Sequence, residues 1–181
     1  MKKFSLLLLT PAVVLFFTHC GGPDNSGKSE TENTEAETIP VGTVSIDLTS
    51  YGYPLTMYVP YPDESLPGAT VDVLESGALE IRAGDDYQVL LNNSEGNLAG
   101  QKEHILGDDV YESTFLVDEK DAIYYTSTIK GFGLDTTYHF FMIIRNGDKI
   151  YEVEDIKSEQ FDQWAGDQMY ELVSATKINP N

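Results

Sequence analysis

The chain has 181 residues, with 11 Lys and Arg against 30 Asp and Glu, and its formal net charge at pH 7 is −19. Such an acidic surface repels nucleic acid and anionic lipid, so we exclude both as binding partners. Cys20 is the single cysteine, which excludes a disulfide within the chain.

The first nineteen residues have the three-part pattern of a secretory signal peptide. Lys2 and Lys3 form the positive start, and residues 4–17 are apolar without a charge. As a helix, fourteen residues span about 21 Å, less than the roughly 30 Å of a membrane's hydrocarbon core. We therefore expect residues 1–19 to be a cleaved signal peptide rather than a membrane-spanning anchor.

Cys20 comes directly after this apolar run, in the segment Phe17-Thr18-His19-Cys20. The segment resembles the lipobox of bacterial lipoproteins, although that pattern has Gly, Ala or Ser where His19 stands. The resemblance implies a diacylglycerol and a further acyl chain such as palmitate on Cys20, and two or three chains give stable membrane anchoring. Gly21, in place of the aspartate that retains lipoproteins in the inner membrane, implies the outer membrane of a bacterial cell envelope.

Residues 20–40 combine the anchor with a polar segment in which Gly, Ser, Thr, Asn and Glu dominate. This composition buries too little apolar surface to fold, and predicts a flexible tether with a reach of roughly 25 Å. Loss of residues 1–19 removes Lys2 and Lys3, which leaves nine basic and 30 acidic side chains and a net charge of −21.

Residues 41–181 are predicted to form one globular α+β domain, an antiparallel sheet packed by a C-terminal amphipathic helix and a second helix. Apolar side chains at alternate positions predict strands. These strands lie at 44–48, 55–59, 79–81, 87–91, 110–117 and 122–129, and on both sides of Asn146-Gly147. Residues 97–106 place Leu98 and Ile105 on one helical face, and Gly107 ends that helix.

The Asn146-Gly147 pair predicts a two-residue hairpin turn. That turn puts His139 opposite Glu154 and leaves Glu152 and Glu154 on a solvated face. The other face is apolar and is expected to belong to the core; it carries Phe140, Met142, Tyr151 and Val153.

The last helix is predicted to begin after Ser158, a favourable N-cap residue. Its apolar positions recur at helical spacing and are expected to pack on the apolar face of the sheet. They are Phe161, Trp164, Ala165, Met169, Leu172 and Val173.

The order of these segments resembles a group of short bacterial envelope lipoproteins of unknown function, and is similar to the PsbP-like fold. The resemblance is carried by the turn Tyr51-Gly52-Tyr53-Pro54, the segment Asp86-Tyr87-Gln88-Val89 and the closing Asn-Gly hairpin and helix. It implies an antiparallel sheet between helices and a role in binding or assembly without catalysis.

The sequence predicts no metal site, cofactor or enzymatic activity. His104 and His139 are interpreted as surface or edge histidines. Two histidines 35 residues apart, without a free cysteine, do not have the spacing of a zinc site. The pairs Asp85-Asp86 and Asp108-Asp109 lie in predicted turns, where aspartate is favoured locally.

Four tyrosines within eleven residues, Tyr51, Tyr53, Tyr58 and Tyr61, form the candidate binding surface. Alternation places Tyr58 opposite the apolar side of its strand, where we expect it to be exposed. We expect a binding, assembly or structural module in the envelope, with another envelope protein as a candidate partner. The alternative is a hydrolase of polysaccharide or peptide, which requires a concave pocket with two carboxylates about 5–10 Å apart.

Overall fold

The computed structural model describes residues 39–61, 68–132 and 136–180. Cys20, the signal peptide and the tether up to residue 38 lie outside the described residues, so the predictions made for them stay predictions. None of the helices in the described part of the chain is long and apolar enough to cross a membrane.

Ten strands and two α-helices form within the described ranges. In chain order they are β1 (Thr43–Asp47), β2 (Leu55–Pro60), β3 (Thr70–Val73), β4 (Leu79–Arg82), β5 (Gln88–Asn93), α1 (Leu98–Leu106), β6 (Tyr111–Asp118), β7 (Ala122–Ile129), β8 (Thr137–Asn146), β9 (Lys149–Asp155), α2 (Gln163–Ser174) and β10 (Lys177–Ile178). The mixed α+β class predicted from the sequence is confirmed.

The strands form two antiparallel sheets. The large sheet has seven strands in the order β3-β4-β5-β9-β8-β7-β6, and the small sheet has the order β1-β2-β10. Strands that lie side by side in a sheet are consecutive in the chain and joined by a hairpin, with two exceptions: β5 lies beside β9, and β2 lies beside β10. Neither β3 nor β10 was predicted: β10 has only two residues, and β3 has four with a largely exposed side-chain pattern.

One side of the large sheet, here called the core face, is closed by α2 and the small sheet. It carries the four apolar side chains predicted for the core, Phe140, Met142, Tyr151 and Val153, and all of them are buried. From α2, Met169 packs into the same cluster. The predicted packing of the last helix on this apolar face is therefore confirmed.

The other side, here called the open face, is covered over only part of its area by α1. Leu98 and Ile105 of α1 pack on Ile123, Phe141 and Ile143. The side chain of Asn97 caps the helix by accepting a hydrogen bond from the Gly100 N–H (2.9 Å). The prediction of this helix and of its apolar positions is confirmed.

The predicted register of the β8–β9 hairpin is wrong, because the two-residue loop lies one residue later in the chain than predicted. Asn146 is still part of the ladder and pairs with Lys149, so the two loop residues are Gly147 and Asp148. Gly147 has φ +60°, and the first loop residue of such tight hairpins requires a positive φ. The faces were nevertheless correct, because this shift changes every pairing by two residues and preserves the period of two along a strand.

The start of the last helix also differs from the prediction. Asp162 rather than Ser158 is the N-cap, and its carboxylate accepts a hydrogen bond from the Ala165 N–H (2.9 Å). Trp164 is 59% exposed and does not belong to the core stripe. It lies about 100° around the helix from Ala165, which points inward.

Candidate functional site

The open face holds a pocket of about 430 Å³ beside α1. Its floor is formed by β6, β7 and β8, and its walls by the end of α1 and by the loop between β9 and α2. Its lining residues are His104, Ile105, Asp108, Tyr111, Ser113, Tyr125, Ser127, Thr137, His139, Lys157, Ser158, Glu159 and Gln160. The volume lies within the roughly 300–1,000 Å³ typical of ligand pockets.

Three hydroxyl side chains cross the floor of the pocket in one row. Ser113 pairs with Ser127 across β6 and β7, and Ser127 pairs with Thr137 across β7 and β8. The two serine Oγ atoms lie 2.7 Å apart, and Thr137 Oγ1 lies 3.2 Å from the carbonyl oxygen of Ser127. Neighbouring strands therefore present the hydroxyls at the same level of the sheet.

The row continues into a histidine and a buried carboxylate. Thr137 Oγ1 lies 2.8 Å from Nε2 of His139, and Nδ1 of His139 lies 2.6 Å from Oδ2 of Asp155. In the tautomer with the proton on Nδ1, the imidazole donates this hydrogen bond to the Asp155 carboxylate and Nε2 is left as an acceptor. Both Thr137 and His139 line the pocket.

Asp155 connects the two faces of the large sheet. It is 1% exposed, and its second oxygen, Oδ1, accepts a hydrogen bond from the backbone N–H of Phe140 (2.8 Å). The β8–β9 ladder ends at the pair Phe141 and Glu154, so the Asp155 carboxylate takes the place of a ladder acceptor for Phe140, the next residue of β8. The predicted pairing of His139 with Glu154 is therefore wrong, and so is the prediction that His139 lies at the surface, since it is 8% exposed.

Tyr125 forms the floor beside His139, with 5.4 Å between the two ring centroids. Burial, followed by the negative charges of Asp155 and Glu154, raises the pKa of the Tyr125 phenol. The phenol is therefore protonated at neutral pH and can act as a hydrogen-bond donor.

The charged groups at the rim of the pocket already have hydrogen-bond or ion-pair partners within the protein. The carboxylate of Asp108 accepts hydrogen bonds from the backbone N–H groups of Tyr111 (2.9 Å) and Val110 (2.7 Å), and these bonds lower its pKa. The Lys157 ammonium forms an ion pair with Glu154 (2.7 Å). Asp108 thus acts as the predicted local turn residue, and its lowered pKa is unsuited to a general acid at neutral pH.

The four predicted tyrosines do not form one exposed surface. Tyr51 and Tyr61 are exposed, but Tyr53 and Tyr58 are 2% and 1% exposed. The hydroxyl of Tyr53 donates to the carbonyl oxygen of Gly77 (3.0 Å), and the Lys177 ammonium lies 5.6 Å from the Tyr58 ring centroid. The prediction that Tyr58 is exposed is wrong, because its side chain belongs to the core cluster and the side chain of Lys177, from the unpredicted strand β10, lies over its ring.

His104 is exposed on α1, as predicted, and lies at the pocket wall. Asp85 and Asp86 form the turn between β4 and β5 and do not line the pocket. Among residues 39–61, 68–132 and 136–180, no group of three or more His, Cys, Asp or Glu side chains is placed to hold a metal ion.

Comparisons with protein-family models, with curated proteins and with solved structures found no match. The resemblance to envelope lipoproteins and to the PsbP-like fold therefore stays a prediction. The assignment of the candidate site is therefore based on the geometry of the pocket alone.

Sequence reasoning missed most of the pocket. The hydroxyl row becomes visible only when the registers of β6, β7 and β8 are known, because its members are far apart in the chain. A signal was present in the polar positions, Ser113, Ser127 and Thr137, which interrupt the otherwise apolar side of these strands. Asp155 carried the same kind of signal, since it follows Tyr151 and Val153 on the apolar side of β9, but the neighbouring Glu152 and Glu154 made it look like part of an acidic, solvated strand end.

Proposed function

We propose that this chain is a lipid-anchored protein of the bacterial envelope whose folded domain binds a small ligand in the open-face pocket. The observation that carries the proposal is the convergence of hydroxyl and imidazole groups on a concave floor. The hydrolase considered from the sequence requires a concave pocket with two carboxylates about 5–10 Å apart. The pocket is concave, but the groups that converge on its floor are hydroxyls and an imidazole rather than a carboxylate pair. The proposed class remains a binding module.

The chemistry of the floor supports binding rather than packing alone. Burying polar side chains is unfavourable unless they are hydrogen-bonded, and an apolar surface would close this face more stably. Here Ser113, Ser127 and Thr137 hold each other in fixed positions beside His139. Preorganised polar groups in a partly apolar cleft are the arrangement by which ligand pockets fix orientation.

The membrane part of the proposal rests on Cys20 and its lipobox-like context. Labelling cells with a fatty-acid analogue tests it. We expect the wild-type chain to carry the label and Cys20→Ala to lose it and to leave the membrane fraction. Retention of the label by Cys20→Ala would contradict the anchor.

The binding part is tested by site-specific photocrosslinking in intact cells. A photoreactive amino acid at Gln160, an exposed position on the pocket wall, is expected to capture a ligand and to give a discrete mass increase. The matched control is Glu75, an exposed turn residue that does not line the pocket. Equal capture at both positions, or none at Gln160, would contradict a ligand pocket.

Hydrolysis is the second candidate function, and one specific observation favours it. Thr137, His139 and Asp155 follow the order of nucleophile, base and orienting acid, with contacts of 2.8 and 2.6 Å. In this candidate Nε2 removes the proton from the Thr137 hydroxyl as Oγ1 attacks a substrate carbonyl. The residues differ from the carboxylate pair considered at the sequence level.

A fluorophosphonate probe distinguishes hydrolysis from binding. A hydrolase forms a phosphonate ester on Thr137 with loss of fluoride, and neither Thr137→Val nor His139→Ala gains the mass. A binding module remains unmodified by the probe. Labelling of the wild-type chain but not of Thr137→Val would replace binding with hydrolysis as the proposed function.

A further inference from the structure

We propose that the ligand of the open-face pocket is a neutral, polyhydroxylated ring, a mono- or disaccharide unit. This inference rests on the proposed binding function and names the chemical class that fits the site. Three observations lead to it: the charge around the pocket, the hydrogen-bonding character of its floor, and an exposed aromatic ring at its rim.

The charge around the pocket disfavours anionic ligands. Asp108 and Glu159 line the pocket, and the whole chain carries a net charge of −19. Two of the cationic or titratable groups that line it already have carboxylate partners, since Lys157 is paired with Glu154 and His139 with Asp155. A phosphate or carboxylate ligand would enter a negative field and would have to compete with Glu154 for Lys157 and with Asp155 for His139.

The floor itself has the wrong chemistry for a cation. Its polar groups are hydroxyls and an imidazole rather than carboxylates, and the Asp108 carboxylate at the rim is engaged by two backbone N–H groups. Neutral ligands avoid the cost of moving a charge out of water into this site.

Hydroxyl groups in the pocket match the hydroxyl groups of a sugar. Six lining side chains carry one: Tyr111, Ser113, Tyr125, Ser127, Thr137 and Ser158. Each serine or threonine hydroxyl oxygen keeps a lone pair that can accept from a sugar hydroxyl, and a hydroxyl that rotates away from its present partner can donate to a sugar oxygen. The protonated phenol of Tyr125 adds a donor on the floor, and Nε2 of His139 lies behind the Thr137 hydroxyl.

An aromatic ring at the rim supplies the apolar contact that a sugar ring also needs. Tyr111 is 43% exposed and lines the pocket, so part of its surface is free to contact a ligand. A pyranose presents C–H groups on its faces and hydroxyls around its edge. Tyr111 beside the hydroxyl row offers the complementary pair of surfaces.

Isothermal titration of the full-length chain, in a detergent that has no sugar headgroup, tests the ligand class. The neutral probes are cellobiose, maltose and N,N′-diacetylchitobiose; the charged probes are glucuronate and choline. We expect saturable binding of at least one neutral disaccharide and none of either charged probe. Binding of a charged probe without any disaccharide would overturn the inference.

Two pairs of variants locate the binding. Tyr111→Ala is expected to weaken disaccharide binding about tenfold, while Tyr61→Ala, which removes an exposed tyrosine outside the pocket, leaves it unchanged. Thr137→Val is expected to abolish binding, while Thr114→Val on the opposite side of β6 does not. Equal effects within each pair would place any sugar binding elsewhere and overturn the inference.

Failure of the ligand class is separable from failure of the pocket. In parallel, the wild-type chain is incubated with an extract of envelope small molecules and its bound mass is read by native mass spectrometry. A retained mass that Thr137→Val loses, with no binding of the disaccharides, contradicts the saccharide but keeps the pocket. Absence of both contradicts the pocket as well.

Discussion

The two faces of the large sheet differ in how they are covered. The core face is closed by α2 and the small sheet, and its side chains are almost all apolar and buried. The open face is covered by the nine-residue helix α1 at one end, and at the other it leaves a polar pocket. The contrast teaches that the core face accounts for the stability of the fold, while the open face keeps polar groups accessible.

Asp155 is where the two faces depend on each other, so its removal is expected to have the largest effect. Asp155→Ala leaves the Phe140 N–H and the His139 Nδ1–H buried without an acceptor, and should cost about 3–5 kcal/mol of unfolding free energy. Glu154→Ala, the adjacent control, removes a partly exposed ion pair and should cost less than about 1 kcal/mol. Urea unfolding measures both; equal losses would contradict a structural role for Asp155 between the faces.

The second-largest effect is expected from adding atoms to each face, because the core face is packed more tightly than the open face. A Cβ at Gly166 would lie 2.5 Å from Tyr138 Cβ and 2.9 Å from Tyr124 Oη, so Gly166→Ala should cost about 1–3 kcal/mol. Ser113→Leu adds more atoms, but into the pocket, and should cost less than about 1 kcal/mol. Thermal unfolding compares them. A larger loss for Ser113→Leu would mean that the open face is as tightly packed as the core face.

A buried phenol on the core side gives a smaller effect. The Tyr87 hydroxyl donates to the carbonyl oxygen of Tyr58 (3.1 Å), and Tyr87→Phe should cost about 1 kcal/mol because it removes this buried hydrogen bond. Tyr51→Phe, at an exposed tyrosine, should leave stability unchanged. Denaturant midpoints give the difference, and equal midpoints would contradict the role of this bond.

Tyr87 also predicts the alkaline behaviour of the fold. Burial raises its pKa above the ordinary value of 10.0, so the protonated phenol is favoured in the folded state. This contribution is fully present below pH 10 and is lost as pH rises through the higher folded-state pKa. Unfolding free energy measured from pH 8 to 11 should fall at the alkaline end, and less steeply for Tyr87→Phe. An identical slope in the two proteins would contradict the assignment.

The smallest effect is expected at the pocket rim. Hydrogen bonds from the Tyr111 and Val110 N–H groups lower the pKa of Asp108 below its ordinary value of 3.8. The contribution of Asp108 to stability is therefore present above pH 3.8 and is lost as the pH falls through the lower folded-state pKa. Asp108→Ala should therefore lower the unfolding midpoint slightly at pH 7 and not at pH 2. A difference that persists at pH 2 would show that Asp108 acts through packing instead.

The sequence was sufficient to predict the faces of the sheet and α1, because both depend on local periodicity. Phe140 and Met142 were assigned to the core correctly although the hairpin register was wrong, since the error kept the period of two. The position of the turn was set by the backbone conformation of Gly147, for which Asn146 was an equally plausible first residue from composition alone.

The site was much less predictable, since it depends on contacts between distant segments. The pairing register of three strands brings together Ser113, Ser127 and Thr137. Asp155 reaches His139 only because the β8–β9 ladder ends at the preceding pair. Tyr58 was misplaced for the same reason: β10, at the far end of the chain, packs beside its strand. The tyrosine cluster was visible in sequence, but tertiary contacts decided which of its members are exposed.

The central claim, that the open-face pocket holds a ligand, is tested most directly by filling it. Ser113→Leu places a larger side chain on the pocket floor, while Thr114→Leu adds the same side chain at the next, exposed residue of β6. Native mass spectrometry after incubation with an extract of envelope small molecules reads the mass that each chain retains. We predict a ligand mass on the wild-type chain and on Thr114→Leu that Ser113→Leu loses; retention by all three, or by none, would contradict the claim.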